Sequence, residues 1–248
     1  MAGPAAAHAS SRTASTTPRP SAPVGDQVEH IFDLSYPGRM ETGLQGSLLD
    51  LSDEPAPGPL GASVRRTVLD HGAWVDIRPG WMGGAGVLFD RLRETVPWRE
   101  ERRRMYDRVV DVPRLLCFYG EGEDLPDPAL DQARQALDRH YGGELGEPFC
   151  TAGLCLYRDG RDSVAWHGDR IGRGAKEDTV VAILSLGAPR ALLLRPRGGG
   201  PALRHEIGHG DLLVMGGSCQ RTWEHAVPKT TRATGPRISV QFRPRGVR

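Results

Sequence analysis

Five residues along the last third of the chain have side chains and spacing suited to metal and anion chemistry. They are His167 and Asp169 in WHGD, His225 in WEH, and Arg237 and Arg243 in RISVQFR. Two imidazoles and a carboxylate can hold one face of an Fe(II) ion and leave its other positions open. A guanidinium fork matches a carboxylate in a bidentate pair, so the arginines suit an anionic co-substrate. Together the five point to an oxygen-activating iron enzyme.

His167 and Asp169 stand two apart in a segment with strand character, and a period of two puts both side chains on one face. HxD by itself is also met as a surface histidine beside a turn aspartate. The second histidine can come from a distant strand that folds back, and His225 fits that role. His71, His140, His205 and His209 compete with it. His140 reads as a helix-end residue answering the helix dipole. His205 and His209 read as loop residues, with His209 the most serious rival ligand. Arg237, Ser239, Gln241 and Arg243 fall on one strand face. A straight strand separates the two arginine α-carbons by about 20 Å, and inward side chains leave a span near that of a small dicarboxylate. Two buried like charges need an anion or acid to meet them. Outward arginines on a solvated strand are the alternative.

The elements that must position these residues are mostly strands. From Phe149 onward the segments FCTAGLCLY, SVAWHGD, TVVAILSLG, RALLLRPR, LRHEIG, GDLLVMGG, WEHAVPK and PRISVQFR are short, apolar and separated by turns, as in a sandwich or barrel. Upstream, VLFDRLRETVPW (87–98) has helical spacing and stops at Pro97. PDPALDQARQALDRHYGG reads as a helix with Pro128 in its first turn, a stripe of Leu130, Ala133, Ala136 and Leu137, and Gly142 at its end. VVDVPRLLCFYG reads as a strand whose Pro113 demands an edge or a bulge. VRRTVLDHGAWVDIRPGWM reads as two extended pieces around a turn, burying Val64, Val68, Leu69, Trp74, Val75 and Ile77. The expected fold class is mostly β with supporting helices (α+β). Residues 1–26 are expected to be a disordered tail, 27–148 an N-terminal extension with supporting helices, and 149–248 the strand core. Residues 61–148 should form one unit with that core.

Composition bounds the rest. Gly 32 and Pro 20 among 248 residues argue against a helical bundle. No run approaches the roughly 18 apolar residues of a membrane span. Four cysteines without CxxC spacing support neither a disulfide framework nor a cysteine zinc site, so a reduced, cytoplasmic protein is expected. The net charge is +1, but residues 1–150 carry 16 basic and 23 acidic side chains whereas residues 151–248 carry 16 and 8. A basic setting around the metal-seeking residues suits an anionic partner such as nucleic acid; solvated surface charge is the other reading.

The order of these segments resembles the AlkB family of Fe(II)- and 2-oxoglutarate-dependent dioxygenases across roughly residues 110–245. PRLLCFYG (113–120) resembles the family's PRxxxWYG, LCLYRDGRDSVAWHGD (154–169) its Asn-x-Tyr…His-x-Asp stretch, and SLGAPRALLLRPR, HGDLLVMGG, QRTWEHAVPK and RISVQFR follow in family order. The resemblance implies a double-stranded β-helix core (jelly roll, cupin-like). It implies that His167, Asp169 and His225 ligate iron and that Arg237 holds the distal carboxylate of 2-oxoglutarate. Tyr157 and Ser239 would help hold that co-substrate, and Arg243 would lie near its metal-proximal end and Asp169. Asp211 is expected to fix a turn.

Two positions depart from the family. Cys155 stands in the co-substrate pocket where the family has asparagine, so one hydrogen bond is lost or supplied elsewhere. Ile171 stands where members often carry an acid that helps read the damaged base. Substrate contacts are expected from Tyr119, from Phe118 in place of the family's tryptophan, from Trp166, and from Arg158, Arg161 and Arg170. Core packing competes for the tryptophan and solvation for the arginines. The implied reaction is oxidative dealkylation of N-alkylated bases in DNA or RNA, consuming molecular oxygen and releasing aldehyde, succinate and carbon dioxide. A base must leave the stack to reach a buried iron. A monomer is expected. The rivals are a related oxygenase acting on RNA, protein or a small molecule, a catalytically inactive nucleic-acid-binding module, and a cupin-like isomerase or storage barrel.

Overall fold

Strands dominate the computed structural model, which describes residues 54–105 and 108–247. The first part holds β1 (Ala56–Pro57), β2 (Arg65–Val68), β3 (Ala73–Arg78), β4 (Met82–Gly83), α1 (Ala85–Thr95), β5 (Arg99–Met105), β6 (Arg108–Tyr119) and α2 (Pro128–Leu145). Then follow β7 (Phe149–Tyr157), β8 (Val164–His167), β9 (Val181–Gly187), β10 (Arg190–Pro196), β11 (Leu203–Ile207) and β12 (Asp211–Gly217). A one-turn helix, α3 (Cys219–Thr222), leads into β13 (Trp223–Val227), and β14 (Arg237–Pro244) closes the series. All eight strands expected after Phe149 form. The expected tail, residues 1–26, and the start of the extension lie outside the described residues.

The strands pair antiparallel in an eight-stranded sheet, β2-β3-β12-β9-β14-β7-β6-β5, and a four-stranded sheet, β11-β10-β13-β8. β1 and β4 make a separate pair. Alternation along the strands of the large sheet assigns its two faces. Leu184 and Leu186 of β9 and Val240 and Phe242 of β14 pack on Leu88 and Leu92 of α1 and Leu130 and Leu137 of α2. Each fully buried leucine there contributes about 1.5–3 kcal/mol. On the other face Val181, Ile183, Leu213 and Met215 meet Leu192, Leu194 and Ile207 of the small sheet. On that same face, along β14 and β7, the side chains turn polar, and there the functional residues gather.

Local chemistry explains the element ends. Asp127 caps α2 by accepting the Ala129 N–H at 2.9 Å, with Pro128 at the first position. The helix does not stop at Gly142. It runs to Leu145 because Tyr141 is fully buried and donates its hydroxyl to Asp76, and because left-handed Gly146 (φ 74°) closes the last turn. α1 stops two residues before Pro97, as expected. The charged stretch before β6, with no element expected, is the edge strand β5. Its register with β6 slips between Glu100 and Arg102, which face Leu115 and Asp111, so Pro113 sits in a bulge. Val68 is not buried: it is 76% exposed on β2, the opposite end strand of the sheet, which pairs only with β3.

Candidate active site

β8 and β13 are neighbours, and their register sets His167 directly opposite His225, with ring centroids 4.2 Å apart. Asp169 is not on the strand with His167, because β8 ends at His167. The aspartate stands two residues past the ladder, inside a tight turn in which the Arg170 N–H donates to the Gly168 carbonyl at 2.8 Å. The ligand atoms of His167, Asp169 and His225 all lie within 4.8 Å of one another, the one such group among the described residues. His167 Nδ1 is 2.9 Å from the Ala165 carbonyl. A proton held there leaves Nε2 as the free donor, 3.9 Å from Asp169 Oδ1.

The electrostatics favour a cation. Burial, reinforced by His167, pushes His225 down to about 3, and burial lowers His167 as well, so both rings are neutral and hold lone pairs. Burial opposes ionisation of Asp169, but Arg243, His225 and His167 outweigh it and bring its pKa to about 2. Arg243 Nε donates to Asp169 Oδ2 at 2.6 Å. A buried carboxylate and two neutral imidazoles facing one point are a donor set for a divalent metal such as Fe(II).

The face of β14 that carries Arg243 to Asp169 also carries a buried arginine, opposite β7. Arg237 pairs with Tyr157 and Ser239 with Cys155 across the two strands. Arg237 is 1% exposed; its Nε donates to Ser185 Oγ at 2.9 Å, its guanidinium lies 5.2 Å from the Tyr157 ring centre, and its Nη1 has no hydrogen-bond partner among the described residues. Burial lowers the arginine's pKa and raises that of Tyr157. A buried guanidinium with an open N–H is costly unless an anion completes it, which fits a carboxylate of a small acid. Gln241 occupies the floor, donating to Ser239 Oγ and accepting a weak contact from Cys155 Sγ at 3.6 Å. The two arginines are placed differently: Arg243 Nε donates to Asp169, and Arg237 Nη1 has no hydrogen-bond partner among the described residues.

Residues 85–243 match the 2OG-Fe(II) oxygenase superfamily. The chain belongs to that superfamily. Within it the chain is AlkB-like. It is 31% identical over 182 residues to the alpha-ketoglutarate-dependent dioxygenase alkB homolog 3 of Bos taurus, and 30% over 178 residues to that of Homo sapiens. Both alignments cover 64% of this chain and 61% of the relative. The DNA oxidative demethylase ALKBH2 of Arabidopsis thaliana is 26% identical over 247 residues, covering 79% of this chain and 74% of that one. The chain thus spans less than two thirds of the length of the alkB homolog 3 proteins.

Other expected site residues of this AlkB-like oxygenase lie at varying distances from the metal group. Phe118 pairs with Gly153, lies on the site face and is 47% exposed. Tyr119 lies on the opposite face of β6, packed with the helix-side core. Trp166 alternates with His167 on β8 and stacks under Arg195, whose guanidinium is 4.1 Å from its ring centre. Arg158 is paired with Asp162 and Glu100, and Arg161 with Asp159. Arg170 follows Asp169 and has a buried Nε with no hydrogen-bond partner among the described residues. Ile171 is 69% exposed.

The rival histidines stand apart. His209 accepts the Gly187 N–H at Nδ1, and His205 is in β11 rather than in a loop. His140 is inside α2, a turn before its end, and His71 sits in a turn with φ 64°. Asp211 fixes its turn by accepting the N–H groups of Gly80 and Gly208. All four cysteines are free.

Three further side chains stand at the site: Arg114, Arg190 and Gln220. Arg114 alternates with Leu116 and Phe118 on β6, so its side chain lies against Cys155 and Tyr157, with Nη1 donating to the Ser163 carbonyl. Period two from Phe118 pointed to it. Arg190 is buried and donates to the carbonyls of Asp159, Asp162 and Pro228, tying the loops beside Tyr157. Its contacts are to backbone, which leaves no trace in sequence.

Proposed function

We propose that this chain is an Fe(II)- and 2-oxoglutarate-dependent dioxygenase that oxidatively dealkylates N-alkylated bases in DNA or RNA. The observation that carries the reading is the convergence of His167, Asp169 and His225 within 4.8 Å, together with a buried Arg237 that has an open N–H on the strand that also brings Arg243 to Asp169. The family match and the similarity to a DNA oxidative demethylase support the substrate class. The two sheets, packed around Ile183, Leu213 and Leu192, are read as the double-stranded β-helix of such enzymes.

In this reading His167, Asp169 and His225 hold Fe(II) and leave open positions for co-substrate and dioxygen. Arg237 takes the distal carboxylate of 2-oxoglutarate, helped by Ser239 and by the buried Tyr157 beside it. Arg243 orients Asp169. Phe118 offers an aromatic face on the site side of β6 for a base drawn from its stack. The bound metal with 2-oxoglutarate and dioxygen supplies the oxidation of the alkyl carbon. One oxygen atom leaves in the aldehyde and the other in succinate, with carbon dioxide released and the base restored to N–H.

The test is incubation of the protein with Fe(II), 2-oxoglutarate and N-methylated single-stranded DNA, double-stranded DNA or RNA, with methyl loss followed by mass spectrometry. Stoichiometric formaldehyde and demethylated base in at least one of the three support the reading. Succinate formation with every methyl group retained overturns the substrate class, and no succinate at all overturns the oxygenase.

A further inference from the structure

Asp169 lies beyond the end of β8, so no strand ladder fixes it; its place is set by contacts with α3 and the loop that follows. Its backbone N–H donates to the Gln220 side-chain oxygen at 2.8 Å, and Gln220 is 1% exposed. The preceding residue is pressed onto the same helix: a Cβ on Gly168 would lie 2.5 Å from the Gln220 carbonyl oxygen and 3.3 Å from that of Trp223. On the other side a Cβ on Gly174 would lie 2.1 Å from the Asp169 carbonyl oxygen. α3 runs straight into β13, which carries His225. One buried amide therefore ties the carboxylate ligand to the segment that delivers the second imidazole.

We propose that Gln220 is a positioning residue of the metal centre. It holds the Asp169 backbone against α3, so that Oδ2 meets Arg243 while Oδ1 faces His167. This rests on the metal-centre reading above. An acceptor is needed because a buried backbone N–H without a partner favours any rearrangement that exposes it. The amide brings that acceptor without placing a second charge beside Asp169. Partners that orient a ligand typically set metal affinity by about 10- to 100-fold.

The experiment uses the full chain and Co(II) as probe, titrated anaerobically by its visible absorption. Gln220→Met keeps length and bulk but removes the oxygen acceptor. Gly168→Ala keeps Gln220 but forces the turn off α3. Leu137→Ala, a truncation in the helix-side core on the opposite face of the large sheet, calibrates how affinity follows melting temperature alone. The expected result is an affinity loss of about 10-fold or more in both test variants, with an altered Co(II) absorption band, beyond the loss in Leu137→Ala at equal melting temperature. If Gln220→Met does not fold, Gly168→Ala carries the comparison. Wild-type affinity and spectrum in the test variants, or losses that merely track melting temperature, overturn the role of Gln220 alone. A wild-type chain that binds no Co(II) overturns the metal-centre reading and this inference with it.

Discussion

Arg243 Nε donates to Asp169 Oδ2 at 2.6 Å, so a strand-end arginine orients the carboxylate member of the metal-binding group. Both side chains are largely buried, the arginine 15% and the aspartate 5% exposed. Gly153 makes room for this: a Cβ there would lie 2.9 Å from Arg243 Nη1. Arg243→Met leaves Asp169 ionised and buried with its main partner gone. The expected cost is about 3 kcal/mol of stability, from the penalty on an uncompensated buried charge. Melting in the absence of metal checks it; an unchanged transition contradicts the pairing.

Arg237 predicts opposite effects on stability and binding. Its open Nη1 is a liability without ligand, since an unpaired buried donor costs about 1–3 kcal/mol. Arg237→Met should therefore keep or raise the melting temperature of the unliganded protein. It should also abolish stabilisation by 2-oxoglutarate, which for the wild type is about 2.7 kcal/mol at 100 times Kd. Thermal shifts with and without 2-oxoglutarate decide this, and a retained shift in the variant removes Arg237 from the pocket.

Acid should destabilise the metal-free protein through His225. Its pKa falls from the ordinary 6.5 to about 3 on folding, chiefly by burial. Between those values the unfolded chain binds the proton and the folded one does not. Stability is full above 6.5 and falls as pH drops through the window, by about 1.4 kcal/mol per unit for one group. Urea unfolding at pH 7.5 and pH 5.5 measures it. His225→Gln should lose less between the two pH values than wild type, and an equal loss contradicts the assignment.

Phe118 and Tyr119 are adjacent but face opposite ways, and this separates substrate contact from packing. Phe118→Ala should raise KM for a methylated oligonucleotide about 10-fold, the loss of one base–aromatic stack, while leaving KM for 2-oxoglutarate unchanged. Tyr119→Phe should leave both constants unchanged, because its ring packs toward the helices. Steady-state kinetics with each substrate varied in turn distinguishes them.

The strand series after Phe149 was legible because each segment alternates or is continuously apolar and ends at a turn residue. The His–Asp–His group was legible through residue type, and Arg237 through its shared strand face with Ser239. What holds Asp169 in place was not, because its backbone partner Gln220 comes from a distant one-turn helix that only the fold brings near. The face on which Tyr119 lies was not legible because the PRLLCFYG run is apolar on both faces, and only pairing with Gly153 and Ala152 assigns its sides. The last turn of α2 escaped because burial of Tyr141 outweighs the glycines at 142 and 143. β5 escaped because its arginines and glutamates conceal any period.

Succinate release from 2-oxoglutarate, measured with Fe(II) and a methylated oligonucleotide, tests the central claim most directly when wild type is compared with Asp169→Ala. The wild-type chain should form succinate and lose that activity when Fe(II) is withheld, and the variant should form none above background. Undiminished succinate formation by Asp169→Ala contradicts the metal centre built from His167, Asp169 and His225.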